Sequence, residues 1–434
     1  MITAQDIQDI GRGRSAPPVA PATAAPVAAL SERLLLVVLY ITVLASSVAI
    51  IEPSPHDGLM GVLAIACVAA GVRFDRHLAL LFLLLLVFNV AGLLALLNVP
   101  GQEMTVQFSI TSIYLGVAAM LFAALFADKT MSRIVTVRAA YILTATIIAI
   151  AGIAGYFNMF PHAHELFATN DRALGAFKDP NVYGPFLIWP ALVVLERMLA
   201  RRFRLTDVFI VGALLFALLL SFSRGAWFHV AVSCAVMMMI AFVTADTDLK
   251  RVRIITLGAI AIAAVAGFIV IALSFDSVAD MFRQRAQLIQ SYDVGSGGRF
   301  RLQELALAEL LNYPNGMGPF GFASVHKIQQ HNVYLQAFLV YGWAGAMAYI
   351  TLLAATCWTA LRTVFVRTPW QPYLNCAFAA FVGEVLEGFV IDTDHWRHFF
   401  LLLGMIWGLA AATLKYERAR QTLQPAERFV HVGA

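Results

Sequence analysis

The sequence predicts an all-α membrane protein with about twelve spanning helices, and three observations lead to that prediction. Of its 434 residues, 60% are hydrophobic and only 13% are charged, which is about half the charged share of soluble domains. The apolar residues form long blocks, most of which reach the roughly 17 to 25 residues that a spanning helix needs. The basic residues gather in alternate connections. This composition excludes an ordinary soluble enzyme and nucleic-acid binding driven by charge.

Twelve apolar segments follow a polar, then Ala- and Pro-rich stretch over residues 1–32. That stretch lacks the apolar core of a signal peptide, so a flexible cytoplasmic tail is expected there. The segments are 34–51, 58–72, 78–97, 105–127, 139–157, 182–199, 206–222, 226–243, 254–274, 333–361, 373–391 and 396–414. The predicted organisation is therefore a tail over 1–32, nine spans within 33–274, an outer loop region over 275–332, three spans within 333–414, and a cytoplasmic tail over 415–434.

The basic residues assign the two sides of the membrane. With the N-terminus inside, the inner connections and the two tails hold 21 of the 30 Lys and Arg residues, as the positive-inside rule expects. The nine basic residues left on the outer side are Arg172, Lys178, Arg224, Arg283, Arg285, Arg299, Arg301, Lys327 and Arg397. Seven of the ten His residues also lie in or beside outer connections. We therefore expect any chemistry on the outer side.

The outer connection over residues 275–332 is too long to serve only as a link between two spans. Apolar residues between Leu302 and Leu311 recur at helical spacing, which predicts an amphipathic helix. Arg299 and Arg301 follow a Gly-rich run, residues 295–298, at the start of that helix. Backbone N–H groups of such a run, together with a helix N-terminus, bind anions readily. A solvated basic face is the alternative interpretation.

Two single residues at the outer boundary invite a chemical interpretation. Arg224 lies in a short turn between two spans, where it either snorkels to lipid phosphate or anchors a phosphorylated ligand with its planar guanidinium. His331 stands where the long loop re-enters the membrane, as an interfacial anchor or as a general base. Gly342 and Gly345 lie one helical turn apart and are expected to let a neighbouring helix approach closely.

Acidic residues form two groups near the end of the chain. Asp392, Asp394 and His395 could bind a hard cation, but a turn-forming cluster paired with Arg397 is the favoured interpretation. Acids inside a span face a cavity or a basic partner. That rule applies to the second group, Glu384 and Glu387, which share one helix face.

The outer mouth of the sixth span holds a smaller polar group. Arg172 and Lys178 stand there, followed by Asp179, Pro180 and Asn181. Asp179 is expected to cap the helix that Pro180 begins.

Several motifs together resemble the O-antigen ligase and polymerase superfamily of bacterial envelope glycosyltransferases. Ser223-Arg224-Gly225 resembles its Ser-Arg-Gly turn, and Arg299 followed by residues 313–318 resembles its Arg…Pro-x-Gly-x-Gly segment. His331-Asn332, with Gly342 and Gly345 downstream, resembles its His-Asn motif, and residues 175–181 give a weaker match. The resemblance covers about residues 180 to 345. It departs from the family pattern at Gln303, where an aromatic residue is usual, and at Pro319, after the Gly-x-Gly turn.

The resemblance implies a GT-C-like, metal-independent, inverting glycosyltransferase that needs no cofactor. Its donor would be a glycan on undecaprenyl pyrophosphate, and its acceptor lipid A core or a growing polysaccharide. The site would face the periplasm from the bacterial inner membrane. His331, Arg224 and Arg299 would carry catalysis. The implied substrate-binding residues are Arg301, Asn332, Arg172, Asp179 and Asn181.

Two activities fit this chemistry, and two other classes remain as alternatives. The His-Asn motif favours a ligase that joins glycan to lipid A core over a polymerase that uses the same donor. A secondary transporter would show a repeat of six spans and polar residues near the bilayer midplane. The halves of this chain show no such similarity, so that alternative is distant, as is a purely structural role.

Overall fold

The computed structural model of the protein describes residues 24–99, 103–200, 204–287 and 298–428. In these ranges the chain is almost wholly helical, and the predicted all-α polytopic fold is confirmed. The one sheet of the described residues is a small antiparallel ribbon, in which β1 (Ala168–Thr169) pairs with β2 (Arg172–Ala173).

The described part of the chain contains seventeen α-helices. The first nine are α1 (Ala24–Leu44), α2 (Pro55–Ala69), α3 (Ala79–Ala95), α4 (Glu103–Phe126), α5 (Thr130–Tyr156), α6 (Ala163–Phe167), α7 (Pro180–Phe186), α8 (Ile188–Ala200) and α9 (Leu205–Leu220). The others are α10 (Arg224–Thr244), α11 (Asp248–Ala272), α12 (Asp276–Arg285), α13 (Arg299–Glu309), α14 (Gly321–His326), α15 (Val333–Val364), α16 (Gln371–Glu387) and α17 (Arg397–Arg428). Short 3₁₀ turns follow α1 and flank α3.

Each of the twelve predicted apolar segments coincides with helix. Nine stretches of the described residues are long and apolar enough to cross a membrane. The other three segments correspond to the shorter helices α2, α9 and α16. The terminal helices are longer than their apolar segments: α1 already begins at Ala24 and α17 continues to Arg428.

The bundle is held together by close pairs of long helices. α3 packs along α15, α4 along α17, and α10 along α16, while α5 lies against α1 and α9. Small residues allow the closest approaches. A Cβ atom on Gly404 would lie 2.5 Å from the carbonyl oxygen of Ala119, and one on Gly408 would lie 2.5 Å from that of Ala123. The backbones of α17 and α4 are therefore in direct contact.

The long connection between α11 and α15 is folded against the bundle through α12, α13 and α14. The predicted amphipathic helix is confirmed as α13, whose Leu302 and Ala306 are buried. Gly298 is the N-cap of α13, whereas residues 295–297 of the Gly-rich run lie outside the described residues. The connection ends at the N-terminus of α15, beside the end of α16. We call this end of the bundle, where α9 ends and α10 begins, the site end.

α15 is broken at Gly342, where the backbone has φ 67° and ψ −177°. The break receives the turn of residues 314–316: the N–H of Trp343 donates to the carbonyl of Pro314 (2.9 Å), and the N–H of Met317 donates to that of Leu339. The two glycines therefore differ, although the same role was predicted for both. A Cβ on Gly345 would lie 3.1 Å from Cβ of Ala91 on α3, so this glycine does face a neighbouring helix. Gly342 instead binds the loop.

Replacing Gly342 by Ala should destabilise the fold. Its backbone conformation is accessible almost only to Gly, at a cost of about 1–3 kcal/mol for other residues. The new Cβ would also lie 2.7 Å from the carbonyl oxygen of Pro314. Gly212→Ala on α9 is the matched control, because no atom lies within 4 Å of its Cβ position. Thermal unfolding in detergent should show a lower Tm for Gly342→Ala alone; an unchanged Tm would contradict the packing described here.

Candidate functional site

The Ser-Arg-Gly turn forms the N-terminus of α10. The hydroxyl of Ser223 accepts a hydrogen bond from the N–H of Ala226 (3.3 Å), and Ser223 is the N-cap of the helix. Phe222, just before it, has φ 47°. This tight turn places Arg224 at the first helical position, at the site end. Its guanidinium is partly exposed and donates to the carbonyl of Gln287 (3.0 Å).

Arg172 holds this turn from the ribbon. Its Nε donates to the carbonyl of Ser221 (2.7 Å), and its Nη2 donates to Oδ1 of Asn181 (2.8 Å). Asp179 accepts from the N–H of Asn181 (2.8 Å) and caps α7, so the predicted capping is confirmed. Arg172 and Asn181 thus connect the start of α7 to the turn that carries Arg224.

The N-terminal half of α10 lies tightly against α16. A Cβ on Gly225 would lie 2.5 Å from Oε1 of Glu387, and one on Gly383 would clash with the ring of His229. Nδ1 of the buried His229 lies 2.8 Å from Oε2 of Glu387. Its Nε2 must donate to the carbonyl of Ala380 (2.8 Å), because a carbonyl only accepts. Nε2 of His229 therefore carries a hydrogen.

Sequence reasoning marked the acid of this pair but missed the histidine. Glu387 was expected to face a cavity or a basic partner, and the partner is His229. Side chains meet on a helix at i, i+3 and i, i+4, and nothing in the sequence pairs α10 with α16, so the sequence carried no signal for this contact. The neighbouring Glu384 is also fully buried, with Oε1 3.3 Å from Nε2 of His398.

His331 and Asn332 form the connection into α15. His331 has φ 50°, in the left-handed region. Oδ1 of Asn332 accepts from the N–H groups of Tyr334 and Leu335 (3.0 and 3.1 Å), which makes it the N-cap. Its Nδ2 donates to the carbonyl of Phe389 (3.1 Å). Asn332 therefore fixes His331 by joining the start of α15 to the end of α16.

Gln303 ties the loop helix to the same place. Its Nε2 donates to the carbonyls of His331 and Phe389, both at 3.3 Å. The sequence indicated this position as a departure from the family pattern, because an aromatic ring is usual there. The amide of Gln303 donates to two carbonyls at once, which a hydrophobic ring at this position could not do. Arg299, one turn earlier on α13, is thereby held beside His331.

Asp392 completes the polar surroundings of His331. Its Oδ2 lies 3.8 Å from Nδ1 of the imidazole. Burial and the positive charge of Arg299 lower the pKa of His331, while the carboxylate of Asp179 opposes them. Burial and the charge of Asp394 raise the pKa of Asp392 to about 7. The histidine is therefore neutral at neutral pH and able to accept a proton, with an acid beside it that titrates in the same range.

The predicted pairing of the acidic cluster with Arg397 is wrong. Arg397 donates to both oxygens of Asp57 on α2 (2.9 and 2.8 Å), because the start of α17 faces α2 and not the preceding turn. Asp394 instead accepts from Nε2 of Gln336 (2.8 Å) and from the hydroxyl of Tyr341 (3.3 Å) on α15. The turn after α16 is thus anchored by hydrogen bonds to α15.

Arg301 extends away from this group. Its Nη1 donates to Oε2 of Glu304 (2.7 Å) on the exposed face of α13. In the described ranges, no three His, Cys, Asp or Glu side chains are grouped as they would be to hold a metal ion. What the arrangement offers is an imidazole with an acid behind it, and cationic guanidinium groups on α10 and α13. Such a set can accept a proton and stabilise a developing anion.

A protein-family model described as O-antigen ligase matches residues 209–350. The matched range runs from α9 into α15 and contains the Ser-Arg-Gly turn, α13 and His331. The chain is similar to this family over that range, so the predicted resemblance is confirmed. No curated protein matches the chain.

Replacing His229 by Leu should strongly destabilise the α10–α16 contact. The change leaves the carboxyl group of Glu387 buried without its partner, which typically costs about 3–5 kcal/mol. The double variant, with Glu387→Leu added, should recover much of that loss because no buried acid remains. Thermal unfolding of the two variants tests this. A single variant as stable as the wild type, or a double variant less stable than the single one, would contradict it.

Proposed function

We propose that the protein is a glycosyltransferase that moves a glycan from undecaprenyl pyrophosphate to an acceptor hydroxyl, as an O-antigen ligase does. The observation that carries the proposal is the grouping of His331, Asp392 and Arg299 at the site end, within the range that matches the ligase family. The charge pattern of the connections supports a periplasmic site in an inner-membrane protein with both termini in the cytoplasm.

The proposed reaction is a single displacement at the anomeric carbon. The acceptor hydroxyl oxygen attacks that carbon, its bond to the pyrophosphate oxygen breaks, and the hydroxyl proton passes to Nε2 of His331. Nδ1 of the ring faces Asp392, whose carboxylate stabilises the imidazolium that forms. Attack opposite the leaving group inverts the anomeric configuration.

The two arginines stabilise the leaving group in this proposal. Negative charge builds up on the lipid pyrophosphate as the bond breaks, and a guanidinium fork fits phosphate oxygens. Arg224 and Arg299 stand on different helices, α10 and α13, so they can hold the pyrophosphate from two sides. The reaction then needs no metal ion and no nucleotide, because the sugar arrives already activated on the lipid.

The other predicted substrate-binding residues divide into two groups. Arg172, Asn181 and Asn332 use polar groups to fix the turns that carry Arg224 and His331. We propose that they act by positioning. Asp179 is near enough to influence His331, and Arg301 lies on the exposed side of α13. These two remain candidates for direct contact with substrate.

Single Ala substitutions of Arg224, Arg299 and His331 should each lower glycan transfer by about 100-fold or more, the usual effect of removing one group that stabilises the transition state. The control is Arg283→Ala, because Arg283 is an exposed arginine paired with Asp280 on α12. Membrane insertion is checked by immunoblot, and surface glycan by gel. If the protein is a ligase, the variants should accumulate glycan on undecaprenyl pyrophosphate. If it is a polymerase, the variants should form no polymer. Wild-type glycan in all three variants would refute the proposal.

The rate of transfer should fall as the pH drops through about 7. Protonation of Asp392, whose pKa lies near that value, removes the charge that stabilises the imidazolium. The lowered pKa of His331 keeps the base itself neutral to a lower pH. The Asp392→Asn variant should therefore transfer glycan more slowly at pH 8 and show no decline in rate near pH 7. The decline caused by protonation of His331, at lower pH, should remain. An unchanged pH profile in Asp392→Asn would exclude this role of the acid.

A further inference from the structure

A cavity of about 140 Å³ opens at the site end, with Asp179 and His395 in its wall. It lies between the connection from α1 to α2, the start of α7, and the start of α17. Its polar lining consists of Ser46, Glu52, His56, Lys178, Asp179 and the 395–398 segment. Liquid water takes about 30 Å³ per molecule, so the volume suits a ligand of several heavy atoms.

The walls of the cavity combine aromatic rings with buried polar groups. Phe177, Trp396 and Tyr141 contribute ring surface. His398 is 5% exposed and also lines the cavity, with its ring 5.3 Å from that of Trp396. Small-molecule sites are mostly apolar and aromatic, with a few placed polar groups that fix the orientation of the ligand.

The charges at the opening argue against an anionic ligand. Nζ of Lys178 lies 2.9 Å from Glu52, and Arg397 makes two hydrogen bonds to Asp57. Both cations of the lining are therefore already paired with carboxylates. The imidazoles of the lining can donate or accept, as the hydroxyl groups of a neutral molecule do, although His56 already contacts the hydroxyl of Tyr114 and His395 the carbonyl of Phe108. Ring faces with such groups around them match the apolar and polar faces of a sugar ring.

The cavity shares a wall with the candidate site. Asp179 lines the cavity and caps α7, next to the Asn181 that is bonded to Arg172. His395, on the other side, is 3.3 Å from Asp394 and follows Asp392 in the same turn. A ring in the cavity would therefore contact Asp179, whose carboxylate influences the pKa of His331.

We propose that this cavity binds a sugar ring of one substrate, next to the carbon or the hydroxyl that reacts. The inference rests on the proposed glycosyl transfer and adds to it the place where the sugar is recognised. The ring belongs either to the lipid-linked donor or to the acceptor glycan, and the two sources share the same chemistry of hydroxyl groups on an apolar ring.

Filling the cavity tests the proposal. Ser46 lines it and is 8% exposed, and its hydroxyl donates only to the carbonyl of Val43 (2.7 Å) in the same turn. Ser46→Leu should therefore fill space with little loss of hydrogen bonding. The matched control is Thr244→Leu, at the far end of α10, where the hydroxyl also bonds to carbonyls of its own helix. Ala49→Val fills the same wall outside any helix and is used if Ser46→Leu is not recovered folded.

The assay is glycan transfer by the full-length protein in lipid nanodiscs, with the concentrations of lipid-linked donor and acceptor varied separately. Ser46→Leu should raise KM at least tenfold for one substrate and leave the other within about twofold. A raised donor KM assigns the ring to the donor, and a raised acceptor KM to the acceptor. Binding of undecaprenyl pyrophosphate without sugar should be unchanged.

Two results separate the possible failures. If the wild type transfers glycan but Ser46→Leu, folded with a normal Tm, has wild-type KM values for both substrates, the cavity proposal is overturned and the glycosyl transfer stands. If the wild type transfers no glycan and binds no undecaprenyl pyrophosphate, the proposed function fails and the cavity proposal fails with it. Loss of sugar-free lipid binding in Ser46→Leu would also overturn the cavity proposal, since it would show that the lipid site was disturbed.

Discussion

The C-terminal end of α16 is the point on which the candidate site depends. The carbonyls just past its end accept hydrogen bonds from two separate parts of the chain. Gly388 accepts from the N–H of Val333 and Phe389 from the neighbouring Asn332, while Phe389 also accepts from Gln303. Gly225 packs on Glu387 one residue earlier. Helix ends leave carbonyls without partners inside the helix. Here those carbonyls bind segments that lie more than 50 residues earlier in the sequence.

This arrangement explains why several polar residues of the motifs face the protein and not the solvent. A turn at a membrane boundary must satisfy its backbone groups, and an unsatisfied group costs several kcal/mol where water is excluded. Asn332 caps α15 and also bonds to α16, and Arg172 bonds to the turn before Arg224. In the proposed function, substituting one of these residues would lower activity indirectly, because the turn that carries Arg224 or His331 would lose its position.

Sequence reasoning predicted the helices well because hydrophobic length and charge asymmetry are local properties. It predicted that Arg224 and His331 lie on one side of the membrane because each stands at the end of an apolar block, and that Arg299 lies on the same side because the long connection joins two such blocks. It could not predict which helices touch, so the partners of Arg397 and Glu387 had to come from the structure. The break at Gly342 was also beyond it, because only the docked turn of residues 314–316 distinguishes that glycine from one facing a helix.

Gln303 has a consequence for movement at the site. Its one amide group bridges two carbonyls, on the segments before α15 and after α16, while its own helix carries Arg299. Tilting α13 away from the bundle would therefore break both hydrogen bonds and release the backbone of His331 at the same time. Arg299 and His331, the proposed phosphate-binding group and the proposed base, therefore form a single mechanical unit. In the proposed reaction, a bulky lipid product would have to leave sideways into the bilayer past this unit, or wait for the whole unit to open.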